Sequence, residues 1–108
     1  MAVLNELIHQ PVRLRIMAAL ASLEGEGGDT EVDFTFLRDH LKLTDGNLGA
    51  HLMKLESAGY ITVRKTFVKR KPRTFVKLSR PGQHAFQDHV DAIRHIVGVE
   101  YPNRSSRW

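Results

Sequence analysis

LTDGNLGAHLMKLESAGYITVRKTFVKRKPRTFVKLSRPG, residues 43–82, changes its hydrophobic period halfway along, and that change decides the fold. Leu48, Leu52 and Leu55 recur at spacings of four and three, the period of a helix that buries one side. Thr44 can cap that helix, Asp45 suits the positive end of its dipole, and Gly59 is a natural left-handed terminator, which predicts a helix over 44–58. From Tyr60 the pattern becomes two-fold: Tyr60, Thr62, Arg64 and Thr66 alternate with Ile61, Val63, Lys65 and Phe67, as in a half-buried strand. Lys69-Arg-Lys-Pro-Arg then makes a basic turn, with Pro72 stiffening it and removing an edge donor, and Thr74, Val76 and Leu78 point one way on a returning strand.

Working outward, Ser79-Arg-Pro-Gly caps a last helix whose apolar stripe is Phe86, Val90, Ile93 and Val97. Upstream, Phe36 to Leu41 predicts a short helix with Thr35 as its cap and Leu37 and Leu41 facing inward. Val32-Asp-Phe-Thr is short enough for a small strand, and residues 24–30 form an acidic, glycine-rich connection. Pro11 opens an earlier helix with Val12, Ile16, Leu20 and Leu23 on one stripe, flanked by Met17 and Ala19. Val3, Leu4, Leu7 and Ile8 suggest a short first helix. The tail 101–108 shows no period and is expected to be mobile, leaving one domain over 1–100. The sum is an α+β, predominantly helical fold of four or five helices with a small antiparallel β-sheet. Two helices joined by a short turn and followed at once by a basic hairpin are the layout of a winged helix-turn-helix.

That layout has a physical use. A helix anchored by Leu48, Leu52 and Leu55 is narrow enough to enter a DNA major groove, and its other side presents Asn47, Ala50, His51 and Lys54, with Thr44, Asp45 and Gly46 at the tip. Asn47 can both donate and accept at adenine edges, Lys54 can reach guanine or phosphate, and His51 can hydrogen-bond a base or phosphate. Gly46, Gly49 and Ala50 keep the face thin. Two glycines cost a helix about 1 kcal/mol each, and close approach to DNA is a compensating reason for them. Arg64, Lys69, Arg70, Lys71 and Arg73 then supply cations for the minor groove or the backbone.

Composition agrees. The 108 residues carry 16 Lys and Arg against 12 Asp and Glu, a formal net charge of +4. The distribution is more telling: residues 60–80 hold Arg64, Lys65, Lys69, Arg70, Lys71, Arg73, Lys77 and Arg80 with no acid, whereas Glu24, Glu26, Asp29, Glu31 and Asp33 cluster elsewhere. Segregated charge is how a polyanion-binding face is built. The lack of cysteine excludes disulfides and thiolate chemistry. No apolar run approaches the ~20 residues of a membrane span, and the N-terminus lacks a leader-like apolar stretch, so a cytoplasmic protein without a membrane partner is expected. No glycine-rich phosphate loop or Ser/His/Asp set is present, no cofactor is called for, and catalysis is not expected.

Residues 43–82 resemble the recognition helix and wing of MarR/ArsR-type winged-helix regulators, in their compact single-domain group. The carrying pattern is NLxxHLxxLExxGYI from Asn47 to Ile61, then the basic Pro-containing turn and LSRPG, while IHQPVRLRIMAAL, residues 8–20, resembles the group's first core helix. The resemblance implies a DNA-binding repressor that pairs as a homodimer through N- and C-terminal helices, with positions 44–54 reading bases and 69–73 on backbone or minor groove. Val3, Leu4, Leu7, Ile8, Ile96, Val97 and Val99 are the spare apolar residues for such pairing. Gly49 departs from the group, where many relatives carry a hydroxyl residue, and the cysteine ligands of many ArsR sensors are missing.

Other readings of the same residues stand beside these. Taken without the recognition-helix pattern, the basic hairpin also reads as a solvated edge that resists aggregation, and a winged helix can be a protein–protein module. His84, Asp88, Asp91 and His95 share one face of the last helix, either as metal ligands in a metal-sensing regulator or as an ordinary polar face. An unknown small-molecule effector is a further candidate partner, although the sequence shows no pocket for one.

Overall fold

A computed structural model describes residues 4–23 and 30–98. The expected mobile tail, most of the acidic connection, Val3 and Val99 lie outside the described residues. The elements run α1 (Glu6–His9), α2 (Pro11–Leu23), β1 (Val32–Asp33), α3 (Phe34–Leu41), α4 (Asp45–Ser57), β2 (Ile61–Val68), β3 (Lys71–Leu78) and α5 (Arg80–Val97). This is the winged-helix architecture expected from the sequence, with five helices and a three-stranded antiparallel sheet of order β1-β3-β2 among the described residues.

The leucine stripes act as predicted. Leu37 and Leu41 of α3 and Leu48, Leu52 and Leu55 of α4 are buried against Ile16, Met17 and Leu20 of α2 and Ile61, Val76 and Leu78 of the sheet. Burying such a side chain contributes roughly 1.5–3 kcal/mol. The end of α4 is closed as Gly59 requires: at φ 82°, its amide donates to Glu56 O and the Tyr60 amide to Leu55 O, satisfying two orphan carbonyls. Ser79 then locks the base of the hairpin to the next helix, its hydroxyl donating to Gly59 O while accepting from the Gly82 amide.

Four expectations are corrected. The helix predicted from Phe36 begins at Phe34, and its cap is Asp33, not Thr35. Asp33 Oδ1 accepts from both the Thr35 and Phe36 amides, which a residue inside the first turn cannot do. The strand predicted over Val32-Asp-Phe-Thr is correspondingly only two residues. Ile8, expected to be spare for pairing, is fully buried in the chain's own core, because α1 folds back onto α2 and α5. Finally, α5 does not bury the whole stripe: Phe86 packs half-buried against the core, but Val90 and Ile93 are only half-covered and Val97 is exposed. The helix packs inward through Gly82, Ala85, His89 and Ala92, whereas Ile96 and Val97 are 64% and 60% exposed. Gly82 explains the choice: a Cβ there would fall on the Tyr60 carbonyl, so the helix approaches the sheet on its small residues.

Candidate nucleic-acid interface

The helix pair α3–α4 turns on Lys42, which sits in the left-handed region at φ 58°, its amide donating to Asp39 O and that of Leu43 to Arg38 O. Thr44 Oγ1 then accepts the Asn47 amide at 3.1 Å and starts α4. With three leucines turned inward, the opposite side of α4 exposes Thr44, Asp45, Gly46, Asn47, Ala50 and Lys54. The same face carries Met53, 68% exposed, and Ser57, which the sequence reading left out. The spacing of Gly46, Ala50, Met53 and Ser57 (four, three, four) is the signal that would have found them. Gly49 instead turns toward the hairpin.

His51 lies at the flank of this face, half-buried, with Nδ1 3.1 Å from Arg13 Nη1. A guanidinium only donates, so Nδ1 is the acceptor and Nε2 carries the proton. Burial first, then the charges of Arg13 and Lys54, lower the pKa of His51. Arg13 itself is fixed by its Nε donating to Leu7 O at 2.6 Å. Asp45 is also partnered: Arg38 Nη1 donates to its Oδ1 at 2.7 Å, so the one acid at the tip of α4 does not stand as a bare negative charge. Arg13 and Arg38 are contributors that the sequence could not place, because α2 and α3 deliver them from elsewhere in the chain.

The hairpin β2–β3 is closed by Lys69 and Arg70, both at positive φ (53° and 68°), the signature of a two-residue type I′ turn. Lys69, Arg70 and Lys71 are exposed at its tip. Pairing runs Val68 with Lys71, Phe67 with Pro72, and so inward. The closing pair of such a turn is hydrogen-bonded and the next is not, so the Pro72 nitrogen points away from β2 and its missing donor costs the ribbon nothing.

Register divides the cations of the ribbon. Arg64 and Arg73 share the ribbon face of Phe75, and both guanidinium groups lie over its ring, at 4.9 and 5.7 Å. Each is engaged by an acid from around β1. Arg64 holds Glu31 with two donors, at 2.9 and 2.8 Å, and Arg73 holds Asp33. The Arg64 hydrogen bond keeps Glu31 below its ordinary pKa. Burial acts to raise Asp33, but Arg73 and the two capped amides outweigh it and leave the carboxyl lowered. The opposite ribbon face, bearing Val63, Lys65, Phe67, Pro72 and Thr74, is the one that looks to α4. Between them runs a cleft of about 310 Å3, lined by Phe34, Gly49, Leu52, Met53, Glu56 and Val63 with Lys65 at its rim. The structure thus brings Thr44–Lys54 and the wing tip to exposed positions, and ties Arg64 and Arg73 to the body.

His84, Asp88, Asp91 and His95 are exposed along α5. Asp91 accepts from Gln87 and pairs with Arg94, and among the described residues no three His, Cys, Asp or Glu side chains gather as a metal site. No described helix is long and apolar enough to cross a membrane.

A thin-faced helix on a helix-turn-helix, beside a cationic two-stranded ribbon, defines the class as a DNA-binding winged helix. The chain belongs to the winged helix DNA-binding domain family, which it matches over residues 12–97. It is 34% identical over 88 residues to an uncharacterised protein of Methanocaldococcus jannaschii, covering 82% of this chain and 89% of that one. The transcriptional regulator homologue protein from Pyrococcus horikoshii OT3 superposes with a TM-score of 0.77 at 26% identity, over 90% of this chain and 91% of that one. AbsC, a MarR family transcriptional regulator from Streptomyces coelicolor, shares the fold at a TM-score of 0.58 and 18% identity, over 91% of this chain and 69% of its own. Family and fold are those of DNA-binding transcriptional regulators.

Proposed function

We propose that the protein is a homodimeric, sequence-specific reader of double-stranded DNA that acts in the cytoplasm as a repressor, by occupying its site. The observation that carries this reading is the exposed face of α4, where Gly46, Asn47, Ala50 and Lys54 stand clear of the core on a helix flanked by the ribbon whose tip exposes Lys69, Arg70 and Lys71. In it, α4 enters the major groove. Asn47 and Lys54 address base edges, the Thr44 hydroxyl and the His51 Nε2–H donate to backbone or base, and Lys69, Arg70 and Lys71 hold phosphates. Arg64 and Arg73, engaged by Glu31 and Asp33, keep the wing upright and add less to binding than their charge suggests. Pairing uses the C-terminal end of α5, where Ile96 and Val97 are exposed and Val90 and Ile93 half-covered in the protomer. Two copies would then present their α4 helices to half-sites about 34–36 Å apart.

The test is fluorescence anisotropy on genomic and random duplexes at two salt concentrations. Lys69, Arg70 and Lys71 on phosphates predict a slope of log K on log salt of roughly −2.7 per protomer. Arg70→Ala/Lys71→Ala should weaken binding on all sequences and flatten that slope. Asn47→Ala should erase sequence preference, at about 1–3 kcal/mol for a lost bidentate contact. A wild-type protein that ignores duplexes at low salt would reduce the hairpin to a solvated edge.

A further inference from the structure

The wing ends in a feature that phosphate binding does not call for. Phe67 is 70% exposed and its neighbour Val68 39%, one step from the cationic turn. Across the ribbon Phe67 faces Pro72, also exposed, so an aromatic and a proline form one apolar surface on the ribbon face that looks to α4. β1 covers β3 only at Phe75 and Val76. The four pairs from Lys65–Thr74 to Val68–Lys71 therefore stand clear of the sheet's third strand, a reach of roughly 13 Å at about 3.3 Å per residue. The minor groove of B-DNA is about 6 Å wide and 7.5 Å deep, so the end of such a ribbon can carry a side chain to its floor. The charge pattern selects the same occupant. Glu31 and Asp33 engage Arg64 and Arg73 on the far ribbon face, whereas the turn that follows the apolar pair exposes Lys69, Arg70 and Lys71.

We infer that Phe67, backed by Pro72, is an apolar wedge that enters the minor groove and partly unstacks a base step while Lys69, Arg70 and Lys71 hold the flanking phosphates. An inserted apolar side chain of this kind kinks the duplex toward the major groove, so the protein bends its DNA and prefers sites with a flexible TA or CA step under the wing. The inference rests on the proposed contact between wing and DNA, and the two fail differently.

The experiment uses duplexes enriched from a random library by the wild-type protein. One set carries a donor–acceptor pair on its ends to report bending, and another carries 2-aminopurine under the wing to report unstacking. Wild type should shorten the end-to-end distance and brighten 2-aminopurine. Phe67→Ala should abolish both signals and weaken binding about tenfold, the scale of one lost base–aromatic contact, with an unchanged salt slope. Phe67→Trp should restore them, and Lys69→Ala/Arg70→Ala should flatten the salt slope instead. Thermal melts of both Phe67 variants should match wild type, since the ring packs on nothing in the protomer's core. Unaltered bending and unstacking in Phe67→Ala overturns the wedge while leaving DNA binding intact. So does a loss of self-association in that variant with bending retained, which would make Phe67 a contact between copies. If wild type binds no duplex, the DNA-reader account falls and the wedge with it.

Discussion

Replacing Lys69 and Arg70 by Asn and Gly should make the protein more stable and a worse DNA binder. Both residues occupy the left-handed region, at φ 53° and 68°, where an ordinary L-residue is disfavoured by about 1–2 kcal/mol. Asn-Gly is the pair that a type I′ turn selects by itself. Part of the gain is offset because glycine loosens the unfolded chain, by roughly 0.5–1 kcal/mol. The net expectation for Lys69→Asn/Arg70→Gly is about 1 kcal/mol of added stability, or some 4–8 °C in Tm for a domain of this size, read by circular dichroism. Binding responds in the opposite sense. Two cations leave the tip of each wing, so the slope of log K on log salt should shrink by about 1.8 per protomer. A variant that melts at or below wild type would show that the tip stores no conformational strain. One that melts higher yet keeps the wild-type salt slope would show that the tip cations do not meet phosphate. Either result would refute the reasoning that charge is kept at this turn at the expense of turn stability.

Gly82→Ala should destabilise by about 1–3 kcal/mol in a urea titration, although the same change at an open helical site would stabilise; an unchanged midpoint would mean that α5 and Tyr60 separate freely. Stability should fall as pH drops below about 6.5: burial, then the neighbouring His9, depress the pKa of His89, and burial likewise depresses His51. The unfolded chain therefore takes up protons first, stability is fully present above that pH, and it is lost as pH falls toward the folded values. His89→Gln should remove part of this slope in pH-dependent urea melts, whereas a flat wild-type profile counts against a neutral, buried His89. Arg38→Ala should weaken duplex binding several-fold in anisotropy titrations by leaving Asp45 bare at the tip of α4, and Arg38→Ala/Asp45→Asn should recover most of it; equal affinity in all three proteins would place Asp45 away from the DNA.

The buried histidine shows how far tertiary context reaches. His89 Nδ1 accepts the Asn5 amide at 2.9 Å, and its Nε2 lies 3.2 Å from His9 Nδ1. Asn5 caps α1 through Ile8 and donates from Nδ2 to the Tyr60 hydroxyl. A single imidazole thus joins the first helix to the last, and Asn5 continues the link to the start of the wing. In the sequence His89 is one more polar residue on a mixed helix, between Asp88 and Val90, and its partners are up to 84 residues away.

What the sequence determined by itself was everything set by neighbours within a few positions. The leucine spacing of α4, its cap at Thr44, the glycine stop at Gly59, the switch to alternation at Tyr60 and the cap at Ser79 each follow from dihedral preference or from a hydrogen bond spanning three or four residues. These fixed the helix-turn-helix and the wing, and with them the face of α4 that stands exposed. Tertiary structure alone decided the matters of facing and pairing. Periodicity showed α5 to be two-sided but pointed to Phe86, Val90, Ile93 and Val97 as the buried side; the close approach at Tyr60 admits only Gly82 and its small neighbours, so Phe86 packs at the flank of the core and Val97 stands exposed. Counting basic residues does not show how the wing's charge is partnered; strand order β1-β3-β2 brings Glu31 and Asp33 to Arg64 and Arg73, residues 33 and 40 positions away, and leaves Lys69, Arg70 and Lys71 exposed at the tip. Local preferences are written in a chain's short-range pattern, but the partner of a charge and the covered side of a helix depend on which distant segments the fold lays alongside.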